Sequence, residues 1–332
     1  MKFVVPPFLF LLLFMSISYA QSELTYAEKL GFPKGKKVVI FHVDDVGMSY
    51  ESNQGTIQAL EKGLASSLSI MMPCGWVPGF FDYLKQHPTV DAGIHLVMTS
   101  EWTAYRWAPL TGRDKALGLY DGQGAFWRSV PEVVTHASPD EVETEMRAQI
   151  ARYRAFGLQP THLDSHMGTL FEPAFLERYV KVGISEKIPI LFPGGHASLI
   201  TAEARLTTDR QQLLRQIGQQ LWDAGLPVLD DLDGSSYGWN LPAGQAVTDD
   251  NLRKYKTGKY IELLKAAKPG LTYVIMHCTD PTEVFSQISN SGPSRKGDLL
   301  AMTDPALKAF VEREGIIVTT WRELSERRAK IK

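Results

Sequence analysis

From Lys37 onward the chain alternates short apolar, β-rich runs with segments of helical period, and this alternation restricts the fold more than any other feature. The apolar runs are Lys37–Val43, Leu68–Met72, Ala92–Val97, Thr161–Ser165, Ile188–Phe192, Pro227–Leu232, Thr272–His277 and Ile316–Thr320. Helical stretches separate nearly all of them: Ser49–Gly63, Phe80–His87, Pro139–Phe156, Pro173–Val182, Asp209–Ala224, Thr248–Ala267 and Asp304–Glu314. The helix at Pro139 carries the clearest start signal: Ser138 as N-cap, proline at the first position, then Asp140 and Glu141 in the first turn. Near-continuous apolar strands alternating with helices indicate a parallel sheet covered on both faces. The expected class is α/β, a (β/α) barrel of about seven to eight parallel strands, distorted or incomplete. A doubly wound open sheet is the alternative, and periodicity alone does not separate the two. Gly55, inside the first helix, weakens that element. Met98–Thr135 reads as one long connection, of the kind that often carries function.

The fold occupies residues 21–332. Met1–Ala20 has Lys2, an apolar run at Phe8–Met15 and small residues at Ser18 and Ala20, the pattern of a cleaved export signal. Pro6-Pro7 opens the run, which is short for a membrane span, so no stable membrane anchor is expected. The mature chain is therefore expected in a periplasmic or extracellular space. Lys and Arg number 35 against 37 Asp and Glu, a balance without the basic footprint of a nucleic-acid binder. Cys74 and Cys278 are either a pair in that oxidising space or two small buried thiols, with the thiols the simpler reading.

Parallel α/β folds build active sites at the C-terminal ends of their strands, and polar residues gather there. The first strand ends His42-Val43-Asp44-Asp45, the third carries His95, and the fourth reads Thr161-His162-Leu163-Asp164-Ser165-His166. Later ends bring Asp230-Asp231-Leu232-Asp233 and His277-Cys278. Two acids after an apolar strand cost heavily if buried unpaired, and a cation would account for at least one of them. A helix N-cap is the other use for such acids. Imidazole and carboxylate together suit zinc and other borderline divalent ions. His162, Asp164 and His166 share one strand face and would crowd a single ion. His166, at the strand end, is the preferred ligand, while His162 and Asp164 orient ligands or touch substrate. His277 is placed to act as a general acid beside a carboxylate base. Trp102, Tyr105, Trp107, Phe126 and Trp127 in the long connection would stack on sugar rings or form a small core of their own. Asp231 would reach substrate hydroxyls, or the acidic cluster would cap the next segment. No nucleophile elbow, P-loop or dinucleotide fingerprint is present.

His42–Ser49 (HVDDVGMS), Gly93–Leu96 (GIHL) and Pro160–His166 (PTHLDSH) together resemble the YdjC-like carbohydrate deacetylases, relatives of the polysaccharide deacetylases. The resemblance runs in order from about residue 37 to 280. It implies a barrel-like fold and one deacetylase-like domain holding a divalent metal ion, zinc or magnesium, on one Asp and two His. It implies Asp45, His95 and His166 as metal ligands, Asp44 as the base and His277 as the late histidine. The implied reaction is metal-dependent removal of acetyl groups from N-acetyl amino sugars or acetylated oligosaccharides. Met167-Gly168-Thr169 follows the DSH motif where relatives often carry further histidines, and proline comes at 281 rather than directly after His277. Both departures lie at the substrate edge. A sugar-binding protein on an inactive scaffold, or another metal-dependent hydrolase such as a phosphodiesterase, are the competing readings. The motifs hold few Lys or Arg to grip phosphate.

Overall fold

The computed structural model describes residues 24–331. The export signal expected at Met1–Ala20 lies outside the described residues. Among the described residues, no helix is long and apolar enough to cross a membrane.

Seven strands form one sheet: β1 Lys37–Val46, β2 Ser67–Ile70, β3 Ala92–Leu96, β4 Leu163–Ser165, β5 Asp231–Asp233, β6 Gly270–Met276 and β7 Ile317–Val318. Their order is β4-β3-β2-β1-β6-β5, with β7 also on β1, and every pairing is parallel. Single bridges, Leu163 to Ile190 and Pro193 to Leu229, carry the curl from β4 round toward β5. The strand expected at Ile188–Phe192 is therefore an extended segment without a ladder. Pro189 and Pro193 have no N–H to donate, so regular pairing cannot continue there. The architecture is the α/β barrel type, curled and incomplete where this segment stands in for a strand.

β1 shows how the sequence sorts the two faces. Val39, Phe41 and Val43 join the large core beneath the surrounding helices. Val38 and Ile40 point the other way, into a smaller cluster with Leu271, Tyr273 and Trp321. By the strand's period of two, His42 and then Asp44 continue this inner face. The inside of the curl thus changes from apolar to polar toward the strand C-termini. Its apolar end is covered by the helices Tyr26–Lys29 and Trp321–Ala329. The Asp91 carboxylate caps the second of these, accepting the N–H groups of Trp321 (3.1 Å) and Arg322 (2.9 Å).

The expected helices are present, shifted by a few residues at most at their starts. Gly55 sits inside Tyr50–Lys62 because a Cβ there would lie 2.5 Å from the Thr279 backbone. The expected helix at Pro173–Val182 runs instead over Leu176–Glu186. Among the described residues six helices are additional: Tyr26–Lys29, Val130–His136, which shortens the long connection, Ser198–Ala204, Phe285–Ile288, Gly292–Met302 and Trp321–Ala329. Gly292–Met302 escapes a periodicity reading because its buried face includes Arg295 and Asp298 among the aliphatics. Cys74 and Cys278 are separate buried thiols.

Part of the acidic cluster on and before β5 is structural. Asp230 accepts three backbone N–H groups, from Tyr26 (2.7 Å), Ala27 (3.0 Å) and Leu271 (2.8 Å), and so ties the N-terminal helix to β6. Truncating it strands buried donors. Asp230→Ala should lower unfolding free energy by about 3 kcal/mol in a denaturant titration, and a loss below about 1 kcal/mol would show that water replaces the carboxylate.

Candidate metal centre and its pocket

Between Val43 and Val46, β1 has one residue more than the facing stretch of β2. This β-bulge contains Asp44 and Asp45. Asp45 takes a left-handed backbone, φ +64°, which short polar side chains accept better than most. On a regular strand two adjacent carboxylates face opposite ways; a bulge re-aims one of them. Both acids line one pocket of about 350 Å³ at the polar end of the curl.

Asp45, His95 and His166 converge there, at 1%, 2% and 3% exposure. Asp45 Oδ1 lies 3.4 Å from His95 Nε2 and 3.3 Å from His166 Nδ1, and the two ring nitrogens are 3.3 Å apart. Each ring is oriented from behind. His95 Nδ1 donates to Asp164 Oδ1 at 2.6 Å, leaving Nε2 toward Asp45. His166 Nε2 faces Glu101 Oε2 at 3.1 Å, leaving Nδ1 toward Asp45. Carboxylates accept only, so each holds the proton on the far side of its ring. Asp45 Oδ1 is buried without a hydrogen-bond partner. An orphaned carboxylate oxygen facing two imidazole nitrogens is the donor set of a borderline divalent ion. The residues present therefore fit the group.

The electrostatics agree with this geometry. Burial favours the protonated form of Asp45, but the Arg295 guanidinium, whose Nη2 is 2.7 Å from Oδ2, holds the carboxyl well below the usual range. Burial opposes charge on His95, yet Asp44 and Asp164 outweigh it and hold its pKa well above the ordinary value. His166 is pushed up to about 9, burial again being overcome, here by Glu101 and Asp45. Asp44 has one oxygen against His42 Nε2 (3.1 Å) and Ser69 Oγ (3.4 Å), and the other 3.9 Å from His95 Nε2. His277 lines the same pocket, edge-on to Tyr237, with its backbone N–H on Asp298 Oδ2 at 3.1 Å. Burial pushes its pKa down, Asp45 opposing and Arg295 reinforcing the shift.

Two further His/Asp groups exist among the described residues, and both run through Asp164. That carboxylate is already engaged by His95, by His42 Nε2 at 3.0 Å and by the Tyr273 hydroxyl at 3.1 Å. His162 lies deeper, stacked on Trp321 with ring centroids 5.2 Å apart, and does not line the pocket. Gly93 makes room for it: a Cβ at that position would come within 2.6 Å of the imidazole.

The other expected residues do not line the pocket themselves. Trp102, Tyr105 and Trp107 form a small core under their loop that backs onto the site, Trp107 lying edge-on to His166 with ring centroids 6.2 Å apart and Trp102 6.0 Å from the Arg295 guanidinium. Trp107 is buried, its Nε1–H on the Thr99 carbonyl at 2.8 Å and its ring edge-on to Trp102 and Tyr105. The Tyr105 hydroxyl donates to the Met48 carbonyl. Asp231 does not reach the pocket either. Its carboxylate accepts the Leu199 N–H (2.9 Å) and the Ser198 hydroxyl (2.7 Å), at the start of the Ser198–Ala204 helix. Sequence reasoning missed Arg295, Glu101, Tyr237 and the role of His42. Two signals were available: His42 shares a strand face with Asp44, and Glu101 is the one acid directly after the third strand's run.

The YdjC-like protein family model matches residues 38–313. The chain belongs to the YdjC-like family. It is 31% identical over 300 residues to a carbohydrate deacetylase of Thermus thermophilus, covering 90% of this chain and 97% of that one. It is 32% identical over 134 residues to a chitooligosaccharide deacetylase of Yersinia enterocolitica, covering 40% of this chain and 49% of that protein. Among solved structures it resembles a crystal structure from Enterococcus faecalis, described as that of a proposed cellobiose-phosphate cleavage protein. The TM-score is 0.67 at 18% identity, over 87% of this chain and 99% of that one, a likeness of fold.

The raised histidine pKa values predict that metal uptake displaces protons. A histidine with a raised pKa stays protonated until the pH passes that value, so affinity should climb with pH up to about 9, where His166 titrates. Calorimetric zinc titrations at pH 7.5 in buffers of differing ionisation heat should show more than one proton released per metal. Release near zero would mean that these rings do not bind it.

Proposed function

We propose that this protein is a metal-dependent deacetylase acting on N-acetylated sugars or chito-oligosaccharides. The observation that carries the reading is the orphaned Asp45 oxygen facing His95 and His166, with a second carboxylate, Asp44, on the same bulge. The names of the curated relatives support the substrate class. The Met1–Ala20 pattern supports export of the mature chain.

Asp45, His95 and His166 would hold a divalent cation, which supplies Lewis acidity to the acetyl carbonyl and to water. Asp44 takes the proton of the attacking water as the new C–O bond forms. His42, against one Asp44 oxygen, orients the carboxylate so that the other faces the trio. When the tetrahedral centre collapses, the C–N bond breaks and His277 donates a proton to the amine. The depressed pKa of His277 makes its imidazolium a stronger acid toward that nitrogen, while lowering the protonated fraction near neutrality. Acetate and a free amino sugar leave. Arg295 and Glu101 hold Asp45 and His166 in place through this cycle.

Asp44→Asn keeps the shape of the side chain and removes its basicity. Acetate release from N-acetylated chito-oligosaccharides should fall by about 10²–10⁴-fold, with unchanged metal stoichiometry and melting temperature. Activity within a few-fold of the parent would remove Asp44 from the role of base.

A further inference from the structure

Beside the catalytic pocket lies a second and larger cavity, of about 950 Å³, between the helices Leu176–Glu186 and Thr208–Asp223. The two share walls: Phe171 and Leu232 line both. The larger one is lined mainly by aliphatic and aromatic side chains, and the polar residues on it, Glu177, Lys181, Ser185, Arg210 and Gln220, are exposed. The Thr208–Asp223 helix presents Leu213, Leu214 and Ile217 to this space. None of them is fully buried, and Leu213 is left 45% exposed. At the catalytic mouth Met167 is 56% exposed next to Gly168. The Met167 backbone is left-handed, φ +56°.

A sugar offers hydroxyls and amides, and it would leave an aliphatic wall of this size dry and unmatched. An apolar pocket of several hundred Å³ suits an apolar ligand. The two pockets are neighbours across Phe171 and Leu232, so an aliphatic substituent on a sugar in the catalytic pocket has the apolar cavity as the adjoining space. We propose that the substrate is an amphiphilic glycoside: the N-acetylated sugar enters the Asp45–His95–His166 pocket while an attached aliphatic chain lies in the cavity beyond Phe171 and Leu232. This rests on the deacetylase reading for the sugar end and adds the class of its substituent.

The test uses the metal-loaded full chain and a series of alkyl N-acetyl-β-glucosaminides, from methyl to octyl, all below their micelle concentrations. KM for acetate release should fall with chain length by about fourfold per buried methylene, until the cavity is filled, with kcat little changed. Leu213→Asp places a charge on the cavity wall at a half-exposed position that the fold tolerates. It should abolish the chain-length dependence and leave kcat/KM for the methyl glycoside and for chitobiose as in the parent. Calorimetric binding of the same glycosides to Asp44→Asn protein separates the two readings. Chain-length-dependent binding without turnover in the parent would keep the apolar subsite and sink the deacetylase role. Turnover with KM flat across the series would keep the deacetylase and overturn the amphiphilic substrate. A dimer in sedimentation that Leu213→Asp dissociates, with no chain-length effect, would give the cavity to a second copy of the chain and equally overturn the proposal.

Discussion

Burial of carboxylates at one end of a parallel sheet is the constraint on which the rest of this structure depends. Asp44, Asp45 and Asp164 are each at most 7% exposed, in an environment where an uncompensated charge is costly. Each is answered by specific partners. Asp164 is held by His95, His42 and Tyr273, and Asp45 by Arg295 on one oxygen. What stays unanswered is the other oxygen of Asp45. The molecule is built so that this gap falls between two imidazole nitrogens, each ring being oriented by a carboxylate on its far side. Local strain, a left-handed residue in a bulge, is accepted at this place.

The sheet makes such a concentration of charge possible by dividing its inner surface. Val38 and Ile40, with Trp321 beneath them, form an apolar floor that needs no polar partner. His42 and Asp44 follow on the same face of β1, and by then the wall has turned polar. His162 marks the boundary between these zones, stacked on Trp321 below and 3.7 Å from Asp164 above, in space left by Gly93. Asp45 lies on β1, His95 on β3 and His166 directly after β4, so the positions of the ligands follow from the C-terminal ends of parallel strands in one sheet. The connection after β3 contributes Glu101, and the Gly292–Met302 helix contributes Arg295.

Much of this was legible in the order of residues. The strands could be read because they are apolar throughout, and His95 and His166 could be read because polar residues at the ends of such strands have few other uses, while the choice of Asp45 over Asp44 came from the family resemblance. The bulge could not be read. Nothing in HVDDVG says that β1 gains a residue over β2, although the juxtaposition of Asp44 and Asp45 requires it. The loop aromatics left two readings open for a related reason. The composition of Trp102, Tyr105 and Trp107 serves a sugar platform or a small core equally, and in the structure they pack on one another. Arg295 was hidden by the Ser, Gly and Pro residues around it, which read as loop, and by a helix face whose buried side is partly charged. Asp231 shows the limit of counting acids: two carboxylates side by side, Asp230 and Asp231, serve backbone N–H groups.

The central claim is that one cation bound by Asp45, His95 and His166 is needed for acetyl transfer to water. The most direct measurement is acetate release from N-acetylated chito-oligosaccharides during stepwise reloading of chelator-stripped protein with zinc or another divalent ion. The account predicts no release from the stripped chain and a rise that saturates at one ion per chain, with His95→Ala and His166→Ala failing to recover. Full activity in the stripped protein, or equal recovery in those variants, would contradict it.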